Sequence, residues 1–407
     1  MKNPIDILKE RGFLEQITHE EEVREIFDKG PVTFYVGFDP TADSLHIGHF
    51  IPVMAMLHLS KAGHRPIALI GGGTAKVGDP SGKTEMRQMY TEETLVQNAK
   101  KMQTQLERFF ENSNQAIFEN NSTWLDNLNY ISFLRDVGSK FTVNRMLSAE
   151  AFQQRMERGL SFIEFNYMIM QAYDFLELNR RHGCVLQVGG NDQWSNILAG
   201  IELTRKSDNK QVYGLTVKLL VKSDGAKMGK TEKGAVWLDS NKTSPYDLFQ
   251  YLRNIDDEDV NNVMKLLTFL PVEEIDELTK EGGSSLNKAK EILAYEFTKL
   301  IHGEQESNKA LDAAKSLFGT GVDMTNAPTI VILREEFDSG INIIDFMTSS
   351  KVVPTKSEGR RLIEQGGISI DDFRVDKYTT QINSFDFTKG YVLLKKGKKN
   401  FYKVVIE

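Results

Sequence analysis

Residues 32–38 form an unbroken β-branched and aromatic run, the pattern of a buried strand. An apolar segment of helical length, 50–59, follows, with a proline only near its start at Pro52. The same kind of alternation recurs. Strand patterns at 66–70, 116–118, 184–188 and 214–221 are interleaved with helical periodicity up to residue 30 and at 91–110, 129–137, 148–158, 162–179 and 193–205. Strands alternating with helices predict an α/β, Rossmann-like, doubly wound parallel sheet. From Ser244 onward the pattern is helical only, over 245–254, 257–269, 272–280 and 286–302. The tail then has a helix pair at 343–349 and 357–365 and short strands after a Gly366-Gly367 turn. The expected organisation is a catalytic domain at 1–240, an α-helical domain at 241–325, a linker at about 326–339 and a small α+β domain at 340–407.

The most informative junction is Asp39-Pro-Thr-Ala-Asp-Ser-Leu-His-Ile-Gly-His49, where the first strand ends and a helix begins. In an open parallel sheet ligands bind at that end of a strand, and a helix N-terminus offers free N–H groups to phosphate. Asp43 or Ser44 is the expected N-cap. The second strand runs into Gly71-Gly-Gly-Thr-Ala-Lys-Val-Gly-Asp-Pro-Ser-Gly-Lys-Thr84, which invites a P-loop reading. The spacing excludes it: Gly78 stands one residue too close to Gly82-Lys83-Thr84, and Asp79 occupies the lysine position after the correctly spaced Gly73–Gly78 pair. What remains is a glycine loop with one carboxylate, Asp79, and two cations, Lys83 and Arg87, suited to an amine and a polyphosphate. Tyr167, Gln171 and Asp174 share one face of a predicted helix. Lys227-Met-Gly-Lys-Thr231 forms a Gly- and Lys-containing loop after the last strand.

Composition narrows the class. The 407 residues predict two or three domains. No apolar run is long enough to span a membrane, the N-terminal stretch lacks the pattern of a signal peptide, and a cytoplasmic location is expected. Cys184 is the only cysteine, which excludes an internal disulfide and a cysteine-based zinc cluster. The net charge of −7 argues against a dedicated nucleic-acid binder. The distribution is uneven: residues 340–407 carry 12 Lys+Arg against 8 Asp+Glu, a net +4, leaving −11 on the rest. A mildly basic tail on an acidic body hints at an RNA contact.

His46-Ile-Gly-His49, followed late in an α/β domain by Lys227-Met-Gly-Lys-Thr231, resembles the two signatures of class I aminoacyl-tRNA synthetases, H-I-G-H and K-M-S-K-S. The second departs by Gly229 and Thr231, as in tyrosine-specific members. Residues 37–42, 77–83, 167–174 and 187–194 extend the resemblance to the bacterial-type tyrosyl-tRNA synthetases. It implies a tyrosine–tRNA ligase that joins L-tyrosine and ATP into tyrosyl-adenylate and pyrophosphate. The tyrosyl group then passes to the terminal ribose of tRNA(Tyr). Two other readings share features: a tryptophan-specific synthetase of the same fold, and a non-catalytic RNA-binding relative.

The resemblance also implies roles. Thr41, His46, His49, Lys83, Arg87, Lys227, Lys230 and Thr231 would stabilise charge on the triphosphate. Tyr35 and Asp174 would hold the substrate phenol, and Asp79, Tyr167 and Gln171 its ammonium group. Gly37, Asp39, Gly48, Gly190, Asp192, Gln193 and Lys230 would serve ATP and the adenylate. The tail resembles an αL-type RNA-binding domain, with Arg360, Arg361, Lys395, Lys396, Lys398 and Lys399 toward tRNA and Arg205 and Lys206 as further candidates. ATP is implied as a substrate accompanied by Mg²⁺, no metal-ligating residue is singled out and whether Mg²⁺ has protein ligands stays open, and a homodimer is expected.

Overall fold

The computed structural model describes residues 2–81, 90–111, 115–156, 159–223, 225, 228–231, 234–318, 329–371, 373–385, 387, 390–397 and 400–407. The chain opens with helix α1 (Pro4–Glu10), strand β1 (Leu14–Ile17) and helix α2 (Glu20–Lys29). The expected single amphipathic stretch before residue 30 is therefore broken by a short strand. Then come β2 (Thr33–Phe38), α3 (Phe50–Lys61), β3 (Arg65–Ile70), α4 (Glu92–Phe109) and β4 (Ile117–Asn120). Thr91 caps α4 by accepting from the Thr94 N–H, as its sequence position predicts. Four helices follow: α5 (Ser122–Leu125), α6 (Tyr130–Asp136), α7 (Val143–Leu147) and α8 (Glu150–Met156). The long α9 (Phe162–His182) starts at a Ser161–Glu164 capping box and ends at Gly183 in a left-handed turn. Next are β5 (Leu186–Gly190), α10 (Trp194–Asp208), β6 (Tyr213–Val217) and the two short strands β7 (Lys230–Thr231) and β8 (Gly234–Ala235).

The main sheet has the order β1-β6-β5-β2-β3-β4. Every pair is parallel except β1 with β6 at the edge. The chain reverses its direction of winding between β2 and β5, so the carboxyl ends of these two strands frame the crevice where such sheets bind ligands. α3 lies beneath this point. Nine of its twelve residues are buried, so it reads as apolar all round, not amphipathic.

The chain folds into two compact units. The first comprises 1–231, 235–242 and 256–289; the second comprises 232–234, 243–255 and 290–407. The helical stretch is thus divided differently from the expected 241–325 block. Helices α11 (Pro245–Arg253), α14 (Ser284–His302) and α15 (Glu304–Phe318) contribute to the second unit. Helices α12 (Val260–Leu267) and α13 (Val272–Thr279) belong to the first. The reason is visible at Arg11. Its buried guanidinium donates to the Lys265 and Thr268 carbonyls, each at 2.8 Å, and to that of Leu270. It thereby satisfies the open carbonyl end of α12.

In the second unit, β9 (Thr329–Ile332), α16 (Arg334–Ser339), α17 (Ile343–Ser349) and α18 (Lys356–Glu364) precede β10 (Ile368–Ile370), β11 (Phe373–Arg374), β12 (Val392–Lys396) and β13 (Asn400–Ile406). The five strands pair in the order β11-β10-β12-β13-β9 over a core that includes Ile343, Met347, Ile363, Ile368 and Val404. Of the expected linker at 326–339, residues 326–328 lie outside the described residues; 329–339 carry β9 and α16, and β9 pairs parallel with β13, so the tail sheet includes residues before 340.

Candidate active site

A cleft of about 490 Å³ opens at the carboxyl ends of β2 and β5, within the range usual for small-molecule sites. It brings together Tyr35, Gly37, Asp39, Thr41, His46, Gly48, His49, Asp79, Tyr167, Gln171, Asp174, Gly190, Asp192 and Gln193 from the sequence-predicted set. Lys83, Arg87 and Lys227 lie outside the described residues, and of Lys230 and Thr231 only the backbone, as β7, is described.

One end of the cleft is buried. Asp174, 2% exposed, accepts from Trp124 Nε1 at 2.8 Å and from Asn121 Nδ2 at 2.9 Å. Burial pushes its carboxyl up to about 8; the two N–H bonds oppose that shift, and the Asp39 charge adds to it. Tyr35, on β2, is equally buried, and its hydroxyl has no hydrogen-bond partner among the described residues. Burial and the nearby Asp174 charge raise the Tyr35 phenol well above its ordinary value. The ring is fixed edge-on against Phe175, with centroids 5.3 Å apart. A buried hydroxyl without a partner costs free energy unless a ligand supplies one. The pair therefore suits a guest with one polar group at the tip of an apolar body.

Midway along the cleft, Asp39 takes the Thr74 hydroxyl at 2.8 Å and the Tyr167 hydroxyl at 2.9 Å. Asp79 is almost fully buried. It accepts from the Ser81 N–H at 2.9 Å and from Gln193 Nε2 at 2.6 Å, while burial raises its carboxyl above the usual range. Asn196 holds the other end of the Gln193 amide at 3.1 Å. Carboxylates and amide oxygens around this space favour a cationic guest such as an ammonium group.

The far end is framed by the histidine segment. Ile47–His49 is a 3-10 turn leading into α3, and His46 caps it by accepting from the His49 N–H at 3.3 Å. The N-cap expected at Asp43 or Ser44 is thus corrected. Asp43 is drawn to Lys101 and Lys242, and the Ser44 hydroxyl bonds the Leu45 carbonyl. The His46 and His49 rings stack with centroids 3.6 Å apart. The departure at Gly229 has a steric cause. Its φ is +88°, and a Cβ there would stand 2.4 Å from Ile47 Cγ2. The lysine loop and the histidine turn touch at this point, and only glycine fits.

Sequence reasoning missed several groups. Asn121 and Trp124 hold Asp174; Gln187 and Lys218 line the cleft. Asn121 follows directly on β4, so its place at a strand's carboxyl end was a usable signal. The candidate tRNA residues sit elsewhere. Arg205 and Lys206, at the end of α10, both pair with Glu202. Arg360 and Arg361 are exposed on α18, with the Arg360 guanidinium 5.7 Å over the Tyr378 ring. Lys395 and Lys396 lie on β12, and Lys396 turns inward to the Val352 carbonyl at 3.1 Å and to Glu358. Lys398 and Lys399 fall outside the described residues.

Comparison with known proteins gives this geometry a context. The family described as tRNA synthetases class I (W and Y) matches residues 28–319. The Tyrosine--tRNA ligase SYY-like C-terminal domain matches 323–404. The chain is 56% identical over 405 residues to the Tyrosine--tRNA ligase of Acetivibrio thermocellus, covering 99% of each. It is 55% identical over 408 residues to that of Clostridium beijerinckii, covering 100% of each. Among solved structures, a C-terminally truncated mitochondrial tyrosyl-tRNA synthetase of Aspergillus nidulans superposes with a TM-score of 0.70 at 31% identity, over 78% of this chain and 95% of that one. A tryptophanyl-tRNA synthetase of Encephalitozoon cuniculi, at TM-score 0.56 and 15% identity over 75% of this chain and 87% of that one, shares the fold.

Proposed function

The chain belongs to the class I tRNA synthetases of the W and Y family, and we propose that its cleft joins L-tyrosine to ATP and then charges tRNA(Tyr). It is an aminoacyl-tRNA ligase, a tyrosine–tRNA ligase. The observation that carries the choice of amino acid is the buried Tyr35–Asp174 end of the cleft, a socket for one phenolic hydroxyl. A tryptophan-specific site has no use for such a socket.

The tyrosine carboxylate is the nucleophile. It attacks the α-phosphorus of ATP, the bond to the β-phosphate oxygen breaks, and pyrophosphate leaves with that electron pair. The ribose hydroxyl at the tRNA end then displaces AMP from the tyrosyl carbonyl. Neither step needs a protein nucleophile, so catalysis rests on positioning and on charge stabilisation. Asp79, Tyr167 and Gln171 would hold the ammonium group. Thr41, His46 and His49 would meet the phosphates from the α3 side, with Lys227, Lys230 and Thr231 opposite and Lys83 and Arg87 closing from the glycine loop. Gly37, Asp39, Gly48, Gly190, Asp192 and Gln193 would bracket the adenylate. Mg²⁺ commonly arrives on substrate phosphates, and it is assigned here to ATP. The test is direct. Labelled tyrosine should become attached to tRNA(Tyr) with an intact 3′ ribose and not to periodate-oxidised tRNA; equal labelling of both would refute the transfer step.

The ionisation of Asp174 gives a second check. In its ionised form it accepts the phenol proton, so tyrosine affinity should rise as pH increases through about 8. Trp124→Phe removes one N–H donor that favours the ionised form. The midpoint should then move to higher pH, as read by equilibrium dialysis of tyrosine, and an unmoved midpoint would separate Trp124 from Asp174.

We assign activation to 1–240 and tRNA binding to the tail; anticodon-side support is assigned to the helices of 241–325, although these divide between the two units. Reversing Arg360 and Lys395 to glutamate should weaken tRNA charging, flatten its salt dependence and leave adenylate formation unchanged. Full charging by that variant would remove the tail from tRNA recognition. A homodimer is supported by exposed apolar residues, among them Ile131 on α6 and Phe162 at the start of α9, 70% and 71% exposed. Sedimentation velocity should show two copies, and a monomer at micromolar concentration would contradict it. No described helix is long and apolar enough to cross a membrane, and a tRNA substrate favours the cytoplasm.

A further inference from the structure

The segment that leaves the lysine loop runs back along the histidine turn. The Leu238 N–H donates to the Leu45 carbonyl at 2.9 Å and the Ile47 N–H to the Val236 carbonyl at 3.0 Å, with His46 and Trp237 as bridge partners between them. The Val236 N–H in turn donates to the Gly229 carbonyl at 2.8 Å. Side chains repeat the connection. The Trp237 indole meets the His46 ring edge-on at 6.0 Å, and His46 stacks on His49. Behind the indole, Lys242 Nζ lies 4.6 Å from its ring centroid and forms an ion pair with Asp43, which also takes Lys101 at 3.1 Å. The two lysines hold the Asp43 carboxyl below its ordinary range. Trp237 does not line the cleft.

We propose that Trp237, backed by the Lys242–Asp43 pair, is a positioning residue that keeps His46 in register with the lysine loop at Gly229 across the triphosphate. The inference rests on the function proposed above. Its physical content is that two catalytic segments far apart in sequence are joined through one indole: its backbone pairs with the histidine turn, and its ring fixes the angle of His46. A cation over the ring face and a carboxylate on that cation limit how far the indole can tilt. Displacements of the order of 1 Å in groups that act only in the transition state cost about 100-fold in rate. Such groups change turnover more than ground-state binding.

The experiment is tyrosine-dependent ATP–pyrophosphate exchange by the full-length protein. Trp237→Leu should lower kcat by roughly 10- to 100-fold with the KM for tyrosine within about twofold of wild type, while Trp237→Phe, which keeps an aromatic ring, recovers most of the loss. Trp237→Leu combined with His46→Asn should cost less than the product of the separate losses, because both act through one ring. Lys242→Met keeps the side-chain stem at a partly exposed position and covers the case in which Trp237→Leu does not fold; it should lower kcat about threefold or more at constant tyrosine KM. Unchanged kcat in Lys242→Met, a parallel rise in tyrosine KM, or fully multiplicative losses in the double variant would each overturn the proposal. Absence of tyrosine-dependent exchange in the wild type would instead refute the function on which it rests.

Discussion

Above pH 8, where Asp174 is ionised, Asp174→Asn is expected to lower kcat/KM for tyrosine by roughly 10- to 200-fold, the value of about 1.5–3 kcal/mol for a hydrogen bond to a charged group. The substitution keeps shape and volume but replaces an acceptor with an NH₂ donor. Both Asp174 oxygens already face donors, Trp124 Nε1 and Asn121 Nδ2, so wherever the new amide points, one N–H confronts another. That leaves a buried donor unsatisfied and places the expected loss toward the upper end. Selectivity should fall with it. Phenylalanine never makes the lost bond, so the ratio of tyrosine to phenylalanine activation should shrink by a similar factor. Steady-state exchange with both amino acids checks this. A uniform loss for the two would indicate damage to the cleft in general and remove Asp174 from recognition of the phenol.

Lys230→Ala should lower the rate of adenylate formation by about 100- to 1000-fold, the usual effect of removing one preorganised donor to developing charge. Tyrosine affinity should hold, because the groups assigned to the ammonium and the phenol, Asp79, Tyr167, Gln171, Tyr35 and Asp174, come from other segments of the chain than the loop. The backbone geometry explains why a glycine-containing loop can be effective at all. Gly229 seats it against Ile47, and β7 fixes the direction of the chain immediately beyond. Single-turnover measurement of adenylate formation over a range of tyrosine concentrations separates the two effects. Weakened tyrosine binding with an intact maximal rate would contradict the assigned role.

Much of the site was legible because its signals are local. The 167–174 face follows from helical spacing alone, and the strand-to-helix junction at 39–49 follows from one change of period. The parts that escaped depend on partners distant in sequence. β1 has only four residues and is stabilised as an edge strand by β6, some 200 positions away, so its own pattern carries little. β9 escaped similarly, since its partner β13 ends the chain. Asp43 has the right chemistry for an N-cap and lies close to the helix, yet two lysines from α4 and the segment beyond β8 claim it. The cap passes to His46, a residue seldom used for that purpose. Asn121 and Trp124 are ordinary residues until the fold sets them behind Asp174. Gly229 is informative in the opposite sense: a departure from the family signature became intelligible only when Ile47 was seen against it.

The central claim is that a socket built from Tyr35 and Asp174 selects tyrosine for activation at the neighbouring phosphate site. It is tested most directly by measuring which amino acid drives exchange of labelled pyrophosphate into ATP. Tyrosine alone among tyrosine, tryptophan and phenylalanine should support rapid exchange. Exchange driven by tryptophan, or none with any of the three by protein that still binds RNA, would contradict the account.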